Sequence, residues 1–284
     1  MATRREVLNI LCSAAKKCYD DVEARQIAKM ILMAKGQLSR NDIIVEPNRE
    51  VDIDDLDDIV AQLKSWQPVQ YIIGRADFMD MELEVSDAVL IPRPETEELV
   101  MWVAEECAPG SRILDVGTGS GCIAIGVARS VSDAKVSAID ISDAALAVAR
   151  RNGERYAPTV EFVRGDALSA FDALFDEKFD VVVSNPPYIP QQDIALMRPN
   201  VVDYEPHMAL FVPDNDPLIF YRSIARTSRR LLNTGGRLYF EIYESLAEEM
   251  QTMLRSEGYD EIVVREDFRG KPRMICAKVS STTR

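Results

Sequence analysis

Residues 112–122, Arg-Ile-Leu-Asp-Val-Gly-Thr-Gly-Ser-Gly-Cys, constrain the fold more than any other stretch of the chain. The apolar positions Ile113, Leu114 and Val116 run directly into glycines at 117, 119 and 121. A short apolar run closed by glycines suits a buried strand that breaks into a tight turn, because glycine accepts positive φ and lets a ligand approach the backbone. Residues 122–129 have helical character, so the segment reads as strand, glycine turn, helix. About twenty residues further on, a second apolar strand ends in Asp140, where a carboxylate can accept hydrogen bonds from both hydroxyls of a ribose. The pairing points to a nucleotide-like cofactor.

The spacing narrows the choice. Dinucleotide folds place G-x-G-x-x-G at a helix N-terminus, whose partial positive charge holds a pyrophosphate. Here the spacing is G-x-G-x-G, and Asp115 stands on the strand just before it. A carboxylate beside the turn repels a pyrophosphate but can face the ammonium of an amino-acid moiety. The run Asp115, Gly117, Thr118, Gly119, Ser120 and Gly121, with Asp140 downstream, resembles the first motif of class I S-adenosylmethionine methyltransferases.

From residue 111 onward strands and helices alternate. Strands are expected at 112–116, 135–139, 160–164, 179–184, 236–242, 261–265 and 273–278, with helices between most of them, including 143–153 and 217–232. Such alternation predicts a mostly parallel sheet covered on both faces, with ligands at the carboxyl ends of the strands. Residues 1–70 read as a helical module. Val7, Leu8, Ile10, Leu11 and Ala14 recur at helical spacing, and Asp20 or Asp21 can cap a second helix that stops at Gly36. Ser39 can cap a further turn, and an acidic helix runs over 52–65. Residues 71–85, with alternating apolar positions around Gly74, suit a linking hairpin. Pro92-Arg93-Pro94 then gives an extended approach to a helix that reaches about residue 107. The expected organisation is thus a helical domain over 1–70, a hairpin linker over 71–85 and an α/β domain over 86–284, with disorder only after Lys278.

At 284 residues the chain can bury a sizeable core, and its net charge of −14 opposes a life on nucleic-acid backbone, leaving only a local basic patch as a route to it. No signal-peptide pattern or membrane-length apolar run is present, so the cytoplasm is the expected compartment. Five cysteines without C-x-x-C spacing and a single histidine, His207, offer no zinc constellation; the thiols are expected to be free and mostly buried.

The chemical signal lies after the third and fourth strands of the α/β region. Asp166, in Gly165-Asp166, stands where a carboxylate can accept from the exocyclic amine of an adenine. The fourth strand is followed by Asn185-Pro186-Pro187-Tyr188. Two prolines stiffen the chain there, so the Asn185 amide oxygen and the Pro186 carbonyl can form a pair of acceptors for the two hydrogens of a planar NH₂ group. Tyr188 can stack on that group. Such a site orients a weak nucleophile and favours its developing positive charge, with no protein nucleophile or metal. His207 reads as a loop residue.

Taken together, Pro68-Val69-Gln70-Tyr71-Ile72-Ile73-Gly74, Ile91-Pro92-Arg93-Pro94-Glu95-Thr96-Glu97, the glycine turn, Asp140, Asp166, Asn185-Pro186-Pro187-Tyr188-Ile189, Glu205-Pro206 and Tyr221-Arg222 resemble the HemK/PrmC family of peptide chain release factor N5-glutamine methyltransferases over nearly the whole chain. The resemblance implies a Rossmann-like seven-stranded sheet with its last strand antiparallel. It implies methyl transfer from S-adenosylmethionine to the glutamine of the Gly-Gly-Gln loop of class 1 release factors, leaving S-adenosylhomocysteine. By the same resemblance Gly117 to Gly121 and Asp140 bind the cofactor, Asn185 touches cofactor and substrate, Asn185 to Tyr188 cradle the glutamine amide, and the N-terminal module contacts the release factor.

The chain departs from the family at Ala167-Leu168, where many relatives carry an aromatic residue, at 212–217, which replaces a glycine-rich segment, and at Tyr243, which replaces a glycine. Two other readings remain. An N6-adenine methyltransferase acting on DNA or RNA would use the same pocket but calls for a basic face; a S-adenosylmethionine or release-factor binder without turnover would not need an intact Asn185, Pro186 and Tyr188.

Overall fold

The computed structural model describes residues 2–280. Of the tail expected to be disordered, Val279 closes the last strand, while 281–284 lie outside the described residues. The chain forms two compact units: one contains the residues up to Arg75 together with Met197–Tyr204, the other Ala76–Leu196 and Glu205 onward.

In the first unit β1 (Ala2–Thr3) leads into α1 (Arg4–Ala15), α2 (Asp21–Lys35) and α3 (Arg40–Val45); β2 (Glu50–Val51) pairs antiparallel with β1 and precedes α4 (Leu56–Lys64) and α5 (Val69–Ile73). Side-chain caps set three of the helix starts. Thr3 and Glu6 form a capping box on α1, Ser39 and Asp42 another on α3, and Asp20 accepts from the amides of Val22 and Glu23 at 2.9 Å each. Val7, Leu11 and Ala14 of α1 pack with Ala24, Ile27, Ile31 and Leu32 of α2. Ile10, expected on the apolar face, is instead 42% exposed. The acidic helix begins at Leu56 rather than 52, after β2, and its N-cap Asp55 makes no side-chain capping bond. The segment 197–204 is held in this unit by the Tyr204 hydroxyl, which donates to the Ser65 carbonyl at 2.6 Å, and by Arg198 on Glu23.

The expected hairpin around Gly74 lies further along the chain. Val69 and Ile72 are buried from a helical turn, and Gly74 at φ 78° ends that helix in the left-handed conformation that favours glycine. The hairpin follows as β3 (Arg75–Phe78) and β4 (Met81–Glu84), turning at Met79 and Asp80.

The second unit continues through α6 (Pro94–Glu106), β5 (Arg112–Val116), α7 (Cys122–Ser130), β6 (Lys135–Asp140), α8 (Asp143–Tyr156), β7 (Glu161–Arg164), β8 (Phe179–Ser184) and β9 (Ile189–Pro190). After α9 (Pro199–Val202), which belongs to the first unit, come β10 (Phe211–Val212), α10 (Ile219–Leu231), β11 (Leu232–Glu241), α11 (Ala247–Ser256), β12 (Tyr259–Glu266) and β13 (Pro272–Val279). Seven strands make one sheet in the order β12-β13-β11-β8-β5-β6-β7. Only β13 runs antiparallel to its neighbours; the other pairings are parallel.

The period of two along each strand sorts side chains to opposite faces. Ile113, Val181, Val183 and Tyr239 pack against α6 and α7, whereas Leu114, Val182, Leu238 and Phe240 pack against α10 and α11. The chain builds outward from β5 through β6 to β7, then returns to place β8 on the other side of β5. That reversal is a topological switch point, and it leaves a crevice at the carboxyl ends of β5 and β8. Among the described residues no helix is long and apolar enough to cross a membrane.

Candidate active site

A cavity of about 450 Å³ opens at this switch point, within the range of small-molecule sites. Its wall includes Gly117, Thr118, Gly119 and Ser120 after β5, Asp140 at the end of β6, Asp166 after β7, and Asn185, Pro186 and Pro187 after β8. The sequence-picked residues Asp115, Gly121 and Tyr188 are not on this wall.

The three glycines serve different ends. Gly117 (φ 78°) and Gly119 (φ 54°) have nothing within 4 Å of where a Cβ would stand, so the turn leaves open space over its backbone. Gly121 (φ 84°) faces Ile125 and Ala149, so a Cβ there would press into the contact between α7 and α8. The turn hangs from β6, with the amides of Gly117 and Thr118 both donating to the Ile139 carbonyl. Asn152, which the sequence reading missed, braces it from behind. This α8 side chain donates to the carbonyls of Ser120 and Glu84 at 2.9 Å each, and its oxygen accepts from the Glu84 amide.

Asp115 lies beneath the turn, fully buried and off the cavity wall. Its Oδ2 accepts from the Thr118 hydroxyl at 2.6 Å and the Ala124 amide at 3.2 Å; its Oδ1 has no protein partner, nor does the buried Ser120 hydroxyl. Two buried polar atoms without partners beside an open glycine turn suit a polar ligand moiety there. Burial, helped by the neighbouring Asp140 charge, pushes the Asp115 carboxyl up to about 7. A carboxyl raised on folding binds its proton more tightly in the folded state. Its stabilising contribution is therefore complete below the unfolded value near 3.8 and is lost as pH rises through about 7. The ligand-free protein is expected to lose melting temperature as pH rises from about 4 to about 7, and Asp115→Asn to flatten that slope. Parallel slopes in thermal melts of the two proteins would show that Asp115 does not titrate there.

Asp140 accepts from the Gly119 amide through Oδ2 and from the Ser142 amide through Oδ1, each at 2.9 Å, so the carboxylate joins the turn to the start of α8. Asp166 Oδ1 accepts from the Leu168 amide at 2.8 Å. Ala167 and Leu168 offer no aromatic surface, but α10 lies alongside, with Ser223 donating to the Ala167 carbonyl and Phe220 entering the cavity wall.

On the β8 side, Ser184 donates to the Val116 carbonyl at 2.5 Å and ties the ends of β8 and β5 together. Asn185 Nδ2 donates to Thr96 Oγ1 at 3.3 Å, and Thr96 donates to Glu241 Oε2 at 2.6 Å. The Tyr188 hydroxyl donates to Glu241 Oε1 at 3.0 Å and its ring stacks on Tyr243, with centroids 5.9 Å apart. With its hydroxyl and one ring face engaged inside the protein, Tyr188 anchors the loop. Burial raises the Glu241 carboxyl and holds the Tyr188 phenol well above its ordinary value. Arg93 pairs at 2.5 Å with Glu205, whose side chain is buried and also accepts from the Ile91 amide, so the Pro-Arg-Pro and Glu-Pro segments meet. The departures from the family pattern are likewise bound into the fold. Asp214 accepts from the Gln192 amide, Asp216 pairs with Arg222, and Tyr243 donates to Asp193 at 2.8 Å.

His207 sets its ring edge-on to Phe211 in a short turn. Among the described residues no group of His, Cys, Asp and Glu is disposed to hold a metal ion. The five cysteines are free; only Cys276 is fully buried, so burial is less general than expected.

A seven-stranded sheet with one antiparallel strand, carrying a glycine turn and a strand-end carboxylate at its switch point, is the class I S-adenosylmethionine-dependent methyltransferase fold. The family described as methyltransferase small domain matches residues 95–200, and that described as PrmC N-terminal domain matches residues 10–74. A release factor glutamine methyltransferase of Bacteroides thetaiotaomicron is 46% identical over 223 residues, 78% of this chain and 80% of that one. Another, of Flavobacterium psychrophilum, is 40% identical over 270 residues, covering 92% of this chain and 94% of that one. A methyltransferase structure from Pyrococcus furiosus shares the fold, with a TM-score of 0.51 at 19% identity over 70% of this chain and 88% of that one. The chain belongs to the release factor glutamine methyltransferase family.

Proposed function

We propose that this protein transfers the methyl group of S-adenosylmethionine to the side-chain amide nitrogen of the glutamine in the Gly-Gly-Gln loop of class 1 peptide chain release factors. The observation that carries the reading is the opening of Asn185 and Pro186 onto the same cavity as the glycine turn, in a chain of this family. Five free thiols are consistent with a reducing cytoplasm as the place of action.

S-adenosylmethionine supplies a sulfonium methyl, an electrophile, and leaves as S-adenosylhomocysteine. Asp140 accepts from the ribose hydroxyls and Asp166 from the adenine amine. Gly117 to Ser120 give the amino-acid end close access to backbone, with Asp115 and Ser120 supplying polar atoms beneath it. Asn185 Oδ1 and the Pro186 carbonyl accept the two hydrogens of the glutamine amide and aim the face of its nitrogen at the methyl. An amide nitrogen is a weak nucleophile because its lone pair is delocalised. Two acceptors that favour positive charge on it stabilise the transition state more than the ground state, and orientation adds to this. The new C–N bond forms as the S–C bond breaks, and the excess proton on nitrogen passes to solvent, so His207 is not required as a base. The first unit contacts the body of the release factor.

The test is transfer of a labelled methyl to unmodified release factor beside a copy with its Gly-Gly-Gln glutamine replaced. Label on the first and not the second supports the reading; label on adenine-containing nucleic acid instead would overturn it. The aromatic wall at Phe220 carries its own expectation. Phe220→Ala removes about 1–2 kcal/mol of adenine contact and raises the KM for S-adenosylmethionine roughly tenfold with kcat little changed. An unchanged KM would place the adenine elsewhere.

A further inference from the structure

An asparagine presents an oxygen and a nitrogen of nearly equal size, and only the oxygen can accept from a substrate amide. The orientation of the Asn185 side chain therefore decides whether the proposed cradle works, and the structure contains groups able to decide it. Thr96, on the first turn of α6, is buried and accepts from Asn185 Nδ2 at 3.3 Å. A hydroxyl has one proton, and that of Thr96 goes to Glu241 Oε2 at 2.6 Å. Glu241, at the end of β11, is 1% exposed, and its other oxygen accepts from Tyr188 at 3.0 Å. The Tyr221 hydroxyl donates to the Glu241 backbone carbonyl, so the residue is held from two sides.

A threonine whose proton is given to a carboxylate has only lone pairs left. The one group of Asn185 it can face is the NH₂. With the NH₂ turned to Thr96, Oδ1 is the side of the amide left for a ligand.

We propose that Thr96 and Glu241 are positioning residues that set the direction of the Asn185 amide, acting on methyl transfer through Asn185 and not through the cofactor. The inference rests on the amide-orienting role given to Asn185 above. Without the hydroxyl the amide can rotate, and half-turned it offers a donor where an acceptor is needed. A misplacement of that kind touches the reacting amide and leaves the ribose and adenine contacts untouched.

The experiment measures kcat, KM for the release factor, affinity for S-adenosylmethionine and melting temperature on the full chain. Thr96→Val is expected to lower kcat about 30-fold, with S-adenosylmethionine affinity within about threefold of the unaltered protein. Thr96→Ser restores the hydroxyl and is expected to recover most of the rate. In an Asn185→Ala background Thr96→Val should cost nothing further, since its effect passes through the missing amide. A purely structural role would lower the melting temperature and act equally in both backgrounds. Thr96→Ala, which removes the hydroxyl without adding a methyl in its place, carries the same expectation where the valine variant fails to fold. Full kcat in the folded valine or alanine variant, or a further loss in the Asn185→Ala background, overturns the proposal. Absence of transfer by the unaltered protein would instead overturn the function itself.

Discussion

Asn185→Ala is expected to lower kcat for release-factor methylation by roughly 10³-fold while S-adenosylmethionine affinity changes only a few-fold. The glutamine amide offers two hydrogens, and the chain offers two acceptors for them. Pro186 supplies a carbonyl from a stiff backbone, and Asn185 supplies the only side-chain acceptor of the pair. Removing it frees the substrate nitrogen to rotate and withdraws a dipole that favours the charge developing on it. The loss belongs to the transition state, so it falls on kcat more than on KM. Asn185→Asp should fare little better. A carboxylate at this position has no proton to give Thr96, whose own proton is held by Glu241 at 2.6 Å, so two anions would face one hydroxyl. Labelled-methyl transfer and calorimetric binding on the same preparations make the separation. An alanine variant with full turnover would show that Asn185 does not orient the amide.

The parts of this site that were legible in the sequence are those written in consecutive residues. The glycine turn announces itself because apolar strand, glycines and helix follow within about a dozen positions, and the alternation of strands and helices then implies a parallel sheet and a switch point. Asn185-Pro186-Pro187 stands out for the same reason. The bonds that orient it do not, because Asn185 and Thr96 lie 89 positions apart and Thr96 and Glu241 lie 145 apart. Their meeting depends on β11 lying beside β8 and on the turn of the chain into α6, neither of which leaves a local mark.

The anchoring of Tyr188 is hidden for a related reason: its partners Glu241 and Tyr243 come from β11 and the residues after it. At Gly74 two periodicities competed. Val69, Ile72 and Ile73 fit a helical turn as well as a strand, and the left-handed glycine resolves in favour of the helix. The adherence of residues 197–204 to the first unit is likewise a long-range event, made by Tyr204 on Ser65 and Arg198 on Glu23.

Asp140→Asn is expected to weaken S-adenosylmethionine binding about 100-fold, although the two side chains have nearly the same shape. Both carboxylate oxygens already accept a backbone amide, Gly119 on one and Ser142 on the other, each at 2.9 Å. A carboxylate can still accept from two ribose hydroxyls, because each oxygen has a second lone pair. An asparagine must turn its NH₂ toward one of those two amides. Facing Gly119, it pushes donor against donor under the glycine turn; facing Ser142, it does so at the start of α8. Either way one ribose acceptor is lost and a backbone segment of the site shifts.

The wild-type side chain should show a weaker form of the same loss when protonated. Burial raises the Asp140 carboxyl above its ordinary value, so the protonated form gains share at higher pH than for an exposed aspartate. A ligand that needs the ionised form then binds less tightly as pH falls, and the asparagine variant should lack that dependence on this group. Calorimetric titration of both proteins from about pH 8 down to about pH 5 reads the affinity and its slope together. Wild-type affinity in the asparagine variant would mean that the ribose is held by other groups.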